Sequence, residues 1–223
     1  MFSKLLYKLQ CYGVKGRLLN WISAFPTGRS QCAVVDNVQS SYIDVLSGVP
    51  QGSVLGPILF ILFVNDIDTV CHSSSKLMLY ADDLKLYSVV ESVSSVGGCD
   101  LQKSLDNVSH WATSWQFSIN TTKTTELNLS NTISSTPVTT YSVNDTVLSP
   151  SSIVSDLGIL TDDRLLFKDH INSIVTKSSQ QSGAIFRGFV SRNPSLMRKA
   201  FITYVRTILE YNLVSGTHLI NTQ

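Results

Sequence analysis

Two adjacent carboxylates, Asp82 and Asp83, stand between the apolar runs Leu77-Met78-Leu79-Tyr80 and Leu84-Lys85-Leu86-Tyr87. Such runs predict two strands joined by a tight polar turn at Ala81-Asp82-Asp83. Neighbouring carboxylates held at the rim of a sheet repel each other unless a cation sits between or beside them, and hard oxygen donors suit magnesium. The chemistry this arrangement supports is two-metal phosphoryl transfer. One ion activates an attacking 3′-hydroxyl, and the other steadies the triphosphate and the leaving pyrophosphate. Taken alone, an Asp-Asp pair is more often a solvated hairpin turn.

About thirty residues upstream lies Ser47-Gly48-Val49-Pro50-Gln51-Gly52-Ser53-Val54-Leu55-Gly56-Pro57, which runs into the apolar segment Ile58 to Ile67, predicted as a helix. Gly48 and Gly52 allow the backbone close to a flat or charged ligand, and Gln51 offers both a donor and an acceptor. A plain glycine-bearing helix entry accounts for Pro57 but leaves the second glycine and the glutamine idle. Downstream come the paired tryptophans of Trp111-Ala112-Thr113-Ser114-Trp115, then Asn120 and Lys123-Thr124, and finally Asp156-Leu157-Gly158-Ile159.

In this order and separation, the Pro-Gln-Gly block and the Tyr-Ala-Asp-Asp box resemble two signature motifs of reverse transcriptases. With the later segments, the chain is most similar to the non-LTR (LINE-like) retrotransposon branch. The resemblance spans roughly Ser3 to Tyr211. It implies an RNA-directed DNA polymerase that extends a DNA primer on an RNA template with deoxynucleotides and Mg2+. By resemblance, Asp82 and Asp83 are catalytic and hold the metal, while Pro50, Gln51, Gly52, Tyr80 and Ala81 line the nucleotide and template pocket. Leu157 and Gly158 would form the primer grip. Lys123 would protonate the leaving pyrophosphate, with a solvated loop lysine as the equal alternative.

The family's first catalytic aspartate precedes the segment matched here by Lys4-Leu5-Leu6-Tyr7-Lys8-Leu9. The expectation is therefore an N-terminally truncated polymerase domain with an incomplete metal site and no activity by itself. The alternative is a non-catalytic retrotransposon remnant that at most binds nucleic acid. Pro26 and the tail Asn212-Leu213-Val214-Ser215-Gly216 also depart from the family pattern.

These motifs need elements to hold them. Leu5, Leu6, Leu9 and Tyr12 recur at helical spacing and stop at Gly13, and Lys15 to Phe25 reads as a second helix ended by Pro26. Gln31 to Val35 and Tyr42 to Leu46 read as paired strands around Asp36-Asn37. Leu101, Leu105, Val108, Trp111 and Trp115 mark a further helix, and short strands are expected at Glu126 to Leu129, Val138 to Tyr141 and Ile153 to Leu160. From Phe167 the pattern is helical, broken at Asn193-Pro194. The fold class expected is α+β. By resemblance, residues 1–162 would be a polymerase palm, an antiparallel sheet backed by helices, and residues 163–223 a partial helical thumb.

Charge follows the same division. Residues 1–35 carry five cations and no acid, residues 36–163 have net charge −10, and residues 164–223 have net charge +6, within a total of +1. An acidic middle between basic ends suits a body that holds cations and flanks that touch phosphates, though solvated helix faces would look the same. Arg164, Lys168, Lys177, Arg187, Arg192, Arg198, Lys199 and Arg206 would grip a duplex through its phosphates. Four cysteines without a Cys-x-x-Cys pair and four scattered histidines argue against a zinc site. The longest apolar stretch, Val54 to Val64, falls short of the ~20 residues a membrane span needs, so no membrane partner is expected. Lys4 and Lys8 interrupt any export signal, so the expected location is intracellular.

Overall fold

The computed structural model describes residues 2–46, 48–50, 52–89, 97–130 and 140–211. The chain divides into two units, Met1–Thr121 with Thr136–Val147, and Thr122–Ser135 with Leu148–Gln223.

The first unit opens with helix α1 (Phe2–Cys11) and helix α2 (Gly16–Ala24). Leu5 and Leu9 lie one turn apart on the buried stripe of α1, and Leu9 is fully enclosed. The helix ends at Gly13, whose φ of 88° only glycine adopts freely. Gly13 N donates to Gln10 O and Val14 N to Leu9 O, which satisfies two carbonyls at the helix end. A nested pair of ribbons follows. Strands β1 (Ser30–Gln31) and β4 (Ile43–Asp44) enclose strands β2 (Val34–Val35) and β3 (Val38–Gln39), with Asp36 and Asn37 at the tip in the left-handed region.

Helix α3 (Leu55–Val64) begins three residues earlier than its apolar run suggested, because the first turn of a helix tolerates Gly56 and Pro57. A short 3-10 turn, Ile67–Val70, continues from it. Strands β5 (Ser75–Tyr80) and β6 (Asp83–Ser88) form the expected hairpin, and helix α4 (Gly97–Trp115) packs against both. The core of this unit joins Leu5 and Leu9 of α1, Ile22 of α2, Leu59, Phe63 and Val64 of α3, and Val108, Trp111 and Ala112 of α4.

The strand expected at Glu126 to Leu129 shortens to β7 (Glu126–Leu127), which belongs to the second unit. Of the strand expected at Val138 to Tyr141, residues 138 and 139 lie outside the described residues. Residues 140 and 141 are not in a strand, and pairing begins instead at β8 (Ser142–Val143) with β9 (Thr146–Val147), back in the first unit.

In the second unit, β7 pairs in parallel with β10 (Pro150–Ser151). Ile153 to Leu160 is two strands rather than one. β11 (Ile153–Asp156) turns through Leu157 and Gly158, at φ 48° and 84°, into β12 (Ile159–Asp162). Helix α5 (Lys168–Gly188) follows, and helix α6 (Pro194–Phe201) passes through a π-type stretch, Ile202–Arg206, into Thr207–Glu210. Asn193 caps α6, its side chain accepting from Ser195 N at 2.9 Å, with Pro194 at the first position, where no amide is needed. Ile185, Ala200 and Val205 form this unit's buried cluster.

The molecule is thus α+β, but its sheet content is organised differently from the single antiparallel sheet expected. Among the described residues the strands form six two-stranded pairs, five antiparallel and one parallel. Most are only two residues long and have no third partner to extend them.

Candidate functional site

The hairpin of β5 and β6 presents the paired carboxylates. Tyr80 stands opposite Asp83, so the loop between the strands is only Ala81 and Asp82. Ala81 adopts φ 52°, a left-handed conformation that costs an alanine about 1 kcal/mol, so the tight turn is held against local preference. Tyr80, Ala81, Asp82 and Asp83 are all exposed. The base of the hairpin is anchored instead: Ser75 is buried and Leu77 packs against the main core.

The second motif reaches the same place through α3. Ser53 Oγ donates to Pro50 O at 2.6 Å and accepts from Gly56 N at 3.1 Å, folding the loop back onto the first turn of the helix. A Cβ on Gly56 would stand 2.9 Å from Ser53 Oγ and 3.2 Å from Pro50 O, so the loop needs a glycine there. Gly52, at φ 75°, is exposed with open space around it, and Gln51 lies outside the described residues. Between α3 and the hairpin runs a groove of about 640 Å³, with Pro57, Phe60 and Ile61 on one wall and Leu79, Tyr80 and Ala81 on the other. The helix that the glycine loop opens and the carboxylate hairpin therefore border one groove, which Pro57 at the end of the glycine block and Ala81 beside the carboxylates both line.

Three side chains that the motifs did not single out tie together the elements around these motifs. Lys8 is 4% exposed, and its ammonium donates to Phe63 O at 2.6 Å and to the Asp66 carboxylate. The same ammonium lies 3.9 Å from the ring centre of Trp115, 4.6 Å from Trp111 and 5.0 Å from Phe63. A cation at the C-terminal end of α3 meets carbonyls that have no intrahelical partner. Burial pushes the Lys8 ammonium below its ordinary pKa, opposed by Asp66. The paired tryptophans are thus walls of a lysine cage as well as core. Arg29 is the third, donating to Pro26 O at 3.0 Å and to Gly48 O at 2.6 Å at the start of the glycine loop. Only Lys8 left a trace in the sequence: it follows Leu5 and precedes Leu9 on the buried stripe, where a solvated lysine does not belong.

The remaining expected residues belong to the second unit. Lys123 is exposed in the turn that follows α4. Leu157 and Gly158 are exposed at the tip of the β11–β12 hairpin, where Tyr211 OH donates to Leu157 O at 2.7 Å. Among the described residues, no three His, Cys, Asp or Glu side chains converge to hold a metal ion. Also among them, no helix is long and apolar enough to cross a membrane.

Residues 2–159 match the family described as reverse transcriptase (RNA-dependent DNA polymerase). The chain is 33% identical over 177 residues to the RNA-directed DNA polymerase from mobile element jockey of Drosophila funebris, covering 76% of this chain and 19% of that protein. Its counterpart from Drosophila melanogaster is 31% identical over 159 residues, covering 69% and 17%. The probable RNA-directed DNA polymerase from transposon X-element of the same species is 32% identical over 162 residues, covering 70% and 17%. The chain spans under a fifth of the length of these curated relatives. No solved structure matches at a significant level.

Proposed function

Because the chain belongs to the reverse transcriptase family, and resembles the RNA-directed DNA polymerases of non-LTR retrotransposons, we propose that its shared cleft is the working end of such a polymerase. The observation that carries this reading is the meeting of α3, which the glycine loop opens, with the carboxylate turn across one groove. In this reading residues 1–162 serve as palm and residues 163–223 as helical thumb.

Asp82 and Asp83 fit a magnesium ion by their chemistry. They are exposed, acceptor-only oxygen donors on a stiff turn, and Mg2+ is ordinarily held by one or two carboxylates with substrate phosphates and water completing its sphere. When bound, the ion neutralises phosphate charge and favours a 3′-hydroxyl nucleophile. The protein's own part is placement. Gly52 leaves the loop backbone open to a nucleotide, Tyr80 and Ala81 offer the groove they line to the nucleotide and its template base, and Pro50 and Gln51 join them by family resemblance. Lys123 donates a proton to the departing pyrophosphate. Leu157 and Gly158, exposed on their hairpin tip, press on the primer end. The partners are an RNA template, a DNA primer and deoxynucleotides.

A second reading has one observation in its favour: among the described residues no third metal-binding side chain joins Asp82 and Asp83 at the turn, where a two-metal site ordinarily has more. In that reading the chain binds nucleic acid without catalysis. Primer extension on an RNA template with Mg2+ separates the two. Incorporation that falls more than about a hundredfold in Asp82→Asn or Asp83→Asn supports the enzyme, since loss of an inner ligand exceeds the 10–100-fold cost of disturbing an outer one. Duplex binding without incorporation supports the second reading.

A further inference from the structure

The β11–β12 hairpin closes with two residues, Leu157 and Gly158, at φ 48° and 84°. A two-residue loop with both φ values positive favours Asn, Asp and Gly, so leucine at its first position is held against local preference. The sheet gives it little help. Among the described residues β11 and β12 pair only with each other, and both are exposed to bending at the tip.

The brace comes from the far end of the same unit. Tyr211 OH donates to Leu157 O at 2.7 Å, and the ring stands beside Gly158, where an added Cβ would meet Tyr211 Cε1 at 3.7 Å and the hydroxyl at 3.9 Å. Tyr211 follows directly on the closing turn Thr207–Glu210, across which Arg206 Nε donates to Glu210 Oε1 at 2.5 Å. The π-type stretch before that turn keeps Val205 in the buried cluster. A wider turn of this kind re-aims every side chain that follows it, and such stretches are often retained where a side chain has a task. Tyr211 is 54% exposed, so the apolar surface it buries is a weak reason for an aromatic ring at this place.

The hydrogen bond also sets a direction. The Leu157–Gly158 peptide is trans, so its C=O and N–H point opposite ways. Drawing the carbonyl to Tyr211 turns the Gly158 N–H to the other side of an exposed tip. We propose that Tyr211 is a positioning residue for the primer end: its hydroxyl and ring fix the Leu157–Gly158 peptide, so that the tip meets a primer terminus as a rigid edge. The role rests on the polymerase reading above, in which Leu157 and Gly158 press on the primer, and it adds a residue that the motifs leave out. A loop ordered only on contact gives up binding free energy to conformational entropy, and a latched one does not.

The test uses the full chain and Tyr211→Phe, which removes only the hydroxyl. A neutral hydrogen bond is worth a factor of roughly 2–10 in an opening equilibrium, so hydrogen exchange of the Ile159 amide, opposite Asp156 at the closing pair, should quicken by that factor while amides of α5 and α6 keep their rates. Tyr211→Ala, without the ring, should loosen the tip further. Tyr204→Phe, at an exposed tyrosine on the π-type stretch, should change nothing. In primer extension on an RNA template with Mg2+, Tyr211→Phe should raise the KM for primer–template by a similar factor and leave kcat and the KM for deoxynucleotide as they are. A general loss of folded protein does not produce that split. Unchanged Ile159 exchange overturns the latch whatever the chain does with a primer. Quicker exchange with an unchanged primer KM overturns the positioning role and leaves the polymerase reading intact. A wild-type chain that extends no primer overturns the polymerase reading and, with it, the positioning role.

Discussion

A lysine on the apolar stripe of a helix must either reach water or be given partners, because a buried ammonium without them is costly. Lys8 is given partners: a carbonyl, a carboxylate and three ring faces. Asp66 keeps a third of its surface in water, so losing the ammonium does not strand a fully buried anion. Lys8→Met, which keeps the aliphatic stem, should therefore cost about 1.5–3 kcal/mol, the price of an unmade charged hydrogen bond. Lys8→Ala also empties the cage and should cost about 1–2 kcal/mol more. Urea unfolding measures both, and equal values for the two variants would mean that the stem beneath the rings contributes nothing. At this scale the sequence was partly readable. Asp82 and Asp83 and the glycine loop announced themselves because their residue types have few other uses in that order. Arg29 did not, since its hydrogen-bond acceptors are two backbone carbonyls, Pro26 O and Gly48 O, and no residue type signals those.

At the scale of elements, helices with an apolar stripe and a marked end were legible: α1 closed at Gly13, α6 opened by Asn193-Pro194. The β11–β12 turn was not. Ile153 to Leu160 is β-rich at both ends, and Leu157-Gly158 in its middle is not the Asn-Gly or Asp-Gly by which a two-residue hairpin loop with both φ values positive usually declares itself. Here Leu157 takes the first position at a cost, and the hydrogen bond to its carbonyl comes from Tyr211, 54 residues away, which no local pattern can show. After β12 the chain depends on another single residue. Asp162 accepts from Arg164 N and Leu166 N, both at 3.0 Å, and from Phe167 N at 2.6 Å, which closes the loop into α5. Burial works against its charge, but the donors from Leu166, Phe167 and Arg164 prevail and hold its carboxyl below the ordinary value. A carboxyl depressed on folding stabilises above its unfolded pKa of about 3.9, and that contribution disappears as pH falls through the lower folded value. In Asp162→Asn the acid limb of the stability curve should flatten, with a loss of about 0.5–2 kcal/mol at neutral pH, the range of a lost cap. Chemical denaturation at a series of pH values checks this, and parallel curves for the two proteins would refute it.

At the scale of the whole molecule, the two units are built on separate cores. The larger gathers α1, α2, α3 and α4 around Leu9, Leu59 and Trp111, and the smaller gathers α5, α6 and the π-type stretch around Ile185, Ala200 and Val205. Among the described residues none belongs to both clusters, so substitutions in one core should add to those in the other rather than couple with them. Calorimetry should then resolve two unfolding transitions. Lys8→Ala should lower only the transition of the unit containing α1, and Asp162→Asn only that of the unit containing α5. The double variant should show both shifts at their single-variant sizes. One sharp transition moved by either substitution would mean that the units unfold as one body.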